Sequence, residues 1–153
     1  MWNAALGGIL LLLVATDTVG TKACTTDPPP PDDATFTTQD GVRFRVEVVA
    51  TNLQIPWSMA FTPDGRLFVT ERPGRVRLLD LARDASAVAL TVDDVYAQNE
   101  AGILGIALDP GFAANRLAYL YYTAQGGSGP VNRVVRYREA GGRLGRRAVL
   151  VVD

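Results

Sequence analysis

The sequence predicts an all-β protein, the first two four-stranded blades of a β-propeller whose ring is incomplete in this chain. A near-repeat 47 residues apart carries that reading: SMAFTPDGRLFVT at Ser58 to Thr70 returns as GIALDPGFAANRLAYLYYT at Gly105 to Thr123. Ala60 recurs as Ala107, Pro63 as Pro110, and Arg66-Leu67 as Arg116-Leu117 once three extra turn residues are allowed. Units of about 40 to 50 residues built of short strands and tight turns are the mark of propeller blades. From Gly41 onward, runs rich in Val, Leu, Phe and Tyr alternate with Gly, Pro, Asp and Asn clusters, and no long stretch has helical periodicity.

Residues 1–23 read as an export signal. The apolar run Leu6 to Ala15 is broken only by two glycines and is half the roughly 20 residues that a membrane-spanning helix needs. No Lys or Arg precedes it, which departs from the usual charged start of such a signal. The only cysteine, Cys24, follows in Thr21-Lys22-Ala23-Cys24 and is a lipidation candidate. Lys22 stands where a lipoprotein site carries a small residue, so ordinary cleavage near Ala23 is an equal alternative. One cysteine forms no intramolecular disulfide.

Residues 24–40 read as a tether. Pro28 to Pro31, flanked by Asp27, Asp32 and Asp33, favour a stiff, extended, solvated spacer that packs no core. These segments place the protein outside the cytoplasm, periplasmic or extracellular, with a membrane contact only through a lipid on Cys24.

The folded part is expected over 41–153. Val42 to Val49 alternates apolar residues with Arg43, Arg45 and Glu47, which fits a strand buried on one face. Ser58–Phe61, Leu67–Glu71 and Val76–Leu79 form a meander, and Val88–Val92 completes the first blade. Its turns are Thr62-Pro63-Asp64-Gly65 and Arg72-Pro73-Gly74-Arg75, where Pro presets φ and Gly accepts a positive φ. The second blade runs through Ile103–Leu108, Leu117–Thr123, Arg133–Arg138 and Ala148–Val152, with turns at 109–115, 124–130 and 140–145. Two blades cannot close a ring, so a longer parent is expected beyond Asp153.

A formal net charge of −1 implies no general affinity for polyanions. Arg133, Arg136, Arg138, Arg143, Arg146 and Arg147 cluster near the end, and on alternating strands they read as a solvated face. No nucleic-acid partner is expected, because stacking aromatics do not accompany them.

Asn52 to Asp80, NLQIPWSMAFTPDGRLFVTERPGRVRLLD, resembles the opening blade of the glucose/sorbosone dehydrogenase family, the soluble quinoprotein aldose sugar dehydrogenases. Glu100 to Tyr122, EAGILGIALDPGFAANRLAYLYY, resembles the family's next landmark, and Asn132 to Arg138, NRVVRYR, continues the likeness. The resemblance implies a six-bladed propeller that holds pyrroloquinoline quinone (PQQ) with Ca2+ and oxidises an aldose at its anomeric carbon. It also implies a catalytic His that takes the proton of the sugar's C1 hydroxyl, and an external electron acceptor. This chain has no histidine, so the family's His is expected beyond the C-terminus and this stretch alone is expected to be inactive.

By motif position Glu100 matches the family's Glu or Gln next to cofactor and substrate, with Asn99 and Gln98 as weaker neighbours on the same connection. A carboxylate there can accept a sugar hydroxyl; the bland reading is a carboxylate capping nearby amides. No metal ligand is assigned, and Asp93-Asp94 offers too few oxygens for calcium. Asp109, where the family carries His, is expected to initiate a turn. Trp57 is expected to pack within the blade with its indole N–H on a carbonyl, and two of Tyr119, Tyr121 and Tyr122 to pack while one faces out. Glu71-Arg72 reads as a strand-end ion pair of little worth. The alternatives to an enzyme are a non-catalytic extracellular binding propeller and a generic surface scaffold.

Overall fold

The computed structural model describes residues 8–15 and 34–153. The chain divides into two compact units, of which one holds Ile9–Asn52 and the other Leu53–Asp153. In the first, strands β1 (Gly8–Ala15), β2 (Ala34–Thr37) and β3 (Arg43–Leu53) form a sheet in the order β1-β3-β2. β2 pairs antiparallel with β3, and Phe36 stacks on Phe44 with ring centroids 5.4 Å apart. The end of the stretch read as a tether is thus a strand: alternating Thr and Phe can pair and pack where the prolines cannot. Along β3, Val46 is buried while Arg45 and Glu47 face outward in a mutual ion pair. Cys24 and the proline run lie outside the described residues.

Two four-stranded antiparallel sheets make up the second unit. The first takes β4 (Pro56–Phe61), β5 (Leu67–Glu71), β6 (Arg75–Asp80) and β7 (Ala85–Thr91) in chain order. The second takes β8 (Ile103–Leu108), β9 (Leu117–Gln125), β10 (Pro130–Ala140) and β11 (Arg143–Val152), also in chain order, with a one-turn helix α1 (Phe112–Asn115) between β8 and β9. All eight strands appear where short apolar runs and turn residues place them. They are consecutive meanders whose faces stack, the arrangement of neighbouring propeller blades.

Turn chemistry sets most boundaries. Gly65 N–H closes on the Thr62 carbonyl at 2.9 Å with Gly65 at φ 82°, as the Thr-Pro-Asp-Gly signal requires. The next turn closes one residue early, with Gly74 N–H on the Glu71 carbonyl. The last connection is tighter than expected. Gly141 and Gly142 both adopt positive φ, 57° and 80°, and allow a two-residue hairpin that lengthens β10 and β11 beyond the runs the sequence marked.

The core lies between the blades. Phe68, Val76, Leu78 and Ala89 of the first meet Ile106, Leu120, Tyr122, Val135, Tyr137 and Leu144 of the second. Phe112 joins them from α1, its ring edge-on to Phe68. Fully burying such a side chain is worth about 1.5–3 kcal/mol, so this seam outweighs any single polar contact on the blade faces.

The aromatic expectations need two corrections. Trp57 is 46% exposed, together with Met59 and Phe61 on the same face of β4. The period of two puts Trp57 opposite the inter-blade seam, which Ser58 and Ala60 face instead. Tyr122 packs while Tyr119 and Tyr121 share the other face, Tyr121 being 42% exposed. Residues 119 and 121 must point the same way, so one tyrosine packs and not two.

Candidate functional site

Several connections converge at the end of the blades where β4 begins and β5 ends. The segment 92–102, which carries the chain from outer strand β7 to inner strand β8, is pinned from both sides. On one side Tyr96 N–H donates to the Thr123 carbonyl at 2.9 Å, and Gln125 N–H to the Asp94 carbonyl at 2.7 Å. On the other, Ile103 N–H donates to the Arg72 carbonyl at 2.9 Å. Between these anchors Ala101 N–H closes a turn on the Gln98 carbonyl at 2.8 Å, with Asn99 in the left-handed region at φ 49°. Asn enters that region more readily than most residues.

Gln98, Asn99 and Glu100 are all exposed on this turn. The structure brings these three expected site residues together by sequence adjacency. The Glu100 carboxylate has no hydrogen bond or ion pair among the described residues. It does not cap neighbouring amides, so its oxygens are available to an incoming donor.

Arg72 is what the sequence reading missed. Its guanidinium Nη1 donates to the Asn99 carbonyl and, at 3.1 Å, to the Ala101 carbonyl. Its own amide donates to the Ile55 carbonyl at 3.0 Å. The expected Glu71-Arg72 ion pair is absent, because successive strand-end residues point apart. Glu71 is instead fully buried; it accepts the Gln54 amide at 2.6 Å and pairs with Arg75 Nε at 2.8 Å. One signal did point to Arg72: a guanidinium beside Pro73-Gly74 stands at a turn, free to reach another connection.

Asp109 organises the turn after β8. Its Oδ1 accepts Gly111 N–H at 2.9 Å and Asn115 Nδ2 at 2.7 Å, and its Oδ2 accepts the Tyr119 hydroxyl at 2.8 Å. The Asn115 amide first, then Gly111 N–H and the Tyr119 hydroxyl, hold its carboxyl below the usual carboxylate range. The same bond to Asp109 raises the Tyr119 phenol. This is turn chemistry, as the sequence suggested.

Asp94 is likewise engaged by protein groups. It pairs with Arg133 at 2.5 Å and Arg147 at 3.0 Å and accepts the Tyr122 hydroxyl at 3.1 Å. Two guanidiniums on one carboxylate repel a cation. A recess of about 270 Å³ lined by Leu90, Val92, Tyr137 and Arg147 adjoins this cluster. Burial, and then the neighbouring Tyr122, push Tyr137 up to about 12 there. Two of the six clustered arginines thus close the outer seam between blades and do not form an open basic face.

The quinone and calcium that the resemblance implied are expected for the intact parent, with no metal ligand assigned in this chain. No group of three His, Cys, Asp or Glu side chains suited to a metal occurs among the described residues. Arg72, the basic side chain at the Glu100 turn, is engaged by carbonyls. At the 98–102 turn the described residues offer the exposed Glu100 carboxylate, which has no partner among them.

Comparison with known proteins agrees with this architecture. The family described as Glucose / Sorbosone dehydrogenase matches residues 53–152. Aldose sugar dehydrogenase YliI of Escherichia coli is 35% identical over 109 residues, 71% of this chain and 28% of its own. A protein of Synechocystis sp. is 38% identical over 93 residues, 56% of this chain and 22% of its own. The PQQ-bound aldose sugar dehydrogenase of Streptomyces coelicolor superposes with a TM-score of 0.61 at 27% identity, covering 82% of this chain and 36% of its own. The chain therefore spans less than a third of the two curated relatives it matches. With two stacked blades and the family's sequence across 53–152, the chain belongs to the glucose/sorbosone dehydrogenase family.

Proposed function

We propose that the intact protein is an exported sugar dehydrogenase that oxidises aldoses at the anomeric carbon, with PQQ as hydride acceptor, Ca2+ beside it and an external electron acceptor. The observation that carries this reading is the PQQ-bound Streptomyces coelicolor relative, which covers 82% of this chain. Within the chain, the unpaired Glu100 carboxylate on a pinned turn is the feature suited to such a site. It accepts a hydrogen bond from a sugar hydroxyl and so fixes the ring's orientation, as a few placed polar groups do in a largely preformed pocket.

Gripping the quinone's carboxylates and taking the C1 hydroxyl proton fall to residues outside this chain, which has no histidine. Export rests on the apolar run of residues 6–15, and attachment to a membrane on acylation of Cys24. The family match gives the non-catalytic binding propeller no support.

The test is to express the full reading frame, add PQQ and Ca2+, and follow aldose-dependent dye reduction. Reduction with at least one aldose is expected. A folded protein that reduces the dye with none of a broad aldose panel overturns the proposal. Mass spectrometry of the mature N-terminus decides separately between acylated Cys24 and plain cleavage near Ala23.

A further inference from the structure

We propose that Arg72 is a positioning residue for the sugar site: it clamps the Gln98–Gly102 turn of the second blade onto the first and thereby sets the direction of Glu100. The proposal rests on the reading of Glu100 as substrate-facing and adds the device that makes it so.

Both peptide planes that flank Glu100 are held. The Asn99–Glu100 peptide is fixed through its carbonyl, which accepts Arg72 Nη1. The Glu100–Ala101 peptide is fixed through its N–H, which donates to the Gln98 carbonyl at 2.8 Å. Together they set φ and ψ of Glu100, leaving only its side-chain torsions free.

Arg72 is itself immobilised. Its amide bonds Ile55 at the start of β4, and its carbonyl accepts Ile103 N–H at the start of β8. Gly102, at φ 145°, allows the approach: a Cβ there would lie 2.4 Å from the Arg72 carbonyl oxygen and 2.6 Å from its Cγ. A guanidinium binding two carbonyls in one short turn, against a backbone that only glycine can meet, is more than solvated charge.

A turn held this way matters because a displacement of about 1 Å at a reacting geometry can cost on the order of 100-fold in rate. Arg72→Gln removes the charge-assisted bonds and leaves a shorter, neutral polar side chain. Arg72→Lys keeps the charge and loses the planar donor.

The experiment uses the full-length protein as wild type, Arg72→Gln, Arg72→Lys, Glu100→Ala and the Arg72→Gln/Glu100→Ala pair. Hydrogen exchange is read at the amides of residues 99–103, and kcat/KM with an aldose. Arg72→Gln is expected to speed exchange at Ala101 and Ile103 while Phe68 and Leu120 stay protected. It is also expected to lower kcat/KM about tenfold to 100-fold, with Arg72→Lys between it and wild type.

In the Glu100→Ala background the further loss from Arg72→Gln should shrink to under about threefold, because residues acting through one group are not additive. A full Arg72 penalty in that background shows a general structural role and overturns the positioning role, as does unchanged exchange at Ala101 and Ile103. Glu100→Ala at wild-type kcat/KM overturns the reading of Glu100, and the positioning role falls with it. If Arg72→Gln does not fold, Arg72→Lys alone decides by the same two readouts.

Discussion

Phe68 of the first blade meets Phe112, from the helical turn between β8 and β9 of the second, edge to face, with ring centroids 6.4 Å apart and planes at 80°. Both rings are fully buried, and Arg116 lies over the Phe112 ring at 5.0 Å. The contact ties the blades at the place where the repeat carries its three extra residues. Phe112→Ala should cost about 3–5 kcal/mol and Phe112→Leu about 1–2 kcal/mol. Denaturant unfolding of the intact protein measures both, and a loss below about 1 kcal/mol for the alanine variant contradicts a core role.

Glu139 is buried between Arg66 and Arg116 and accepts Gly142 N–H at 2.7 Å. Glu139→Ala orphans that amide and leaves Arg116 without its counter-ion, while Arg66 keeps Asp64 at 2.8 Å. Both arginines keep some exposure and can rehydrate, so the expected loss is about 1–3 kcal/mol rather than the larger cost of a fully buried charge. Thermal unfolding with and without 0.5 M salt checks it, and a stabilised variant contradicts the account.

Acid should expose the Asp109 turn. Its carboxyl is held below the ordinary value of 3.8 in the fold, so its stabilisation is complete above that value and is lost as pH falls through the lower folded one. Asp109→Asn should therefore be less stable than wild type at pH 7, with the gap narrowing below pH 3.8. Urea melts across that range test the sign; a gap that widens in acid refutes it.

Gly102→Ala should disrupt the Glu100 turn. The new Cβ would meet the Arg72 backbone at 2.4 Å with φ at 145°, a strain of about 1–3 kcal/mol. Gly127 has open space around it, so Gly127→Ala should stay within about 1 kcal/mol of wild type. Melting temperatures of the two variants compare them directly, and equal effects refute the close approach.

Glu100→Ala should lower turnover about tenfold with little change in melting temperature, because an exposed, unpaired carboxylate contributes little to the fold. Steady-state kinetics on the reconstituted full-length protein measures the first and calorimetry the second. Unchanged kinetics removes Glu100 from the site.

The order of strands within each blade was legible because period-two alternation and the Thr62–Gly65 turn are local properties. The turn that carries Gln98 to Glu100 was legible as a connection between the blades, and Asp109 as a turn residue, for the same reason: adjacency in sequence is adjacency in space. Trp57 and the tyrosine strand were misread at the level of faces. Alternation fixes which residues share a face, but which face is covered depends on what packs there.

By itself, then, the sequence determined an all-β chain of repeated meanders, their turns, and the family to which those motifs belong. Tertiary structure alone decided that Arg72 grips carbonyls 27 and 29 positions on and that Asp94 is shared by Arg133 and Arg147. The physical reason is common to both. A long charged side chain takes the partner that folding brings within hydrogen-bond reach, and no local pattern in the chain encodes that distance.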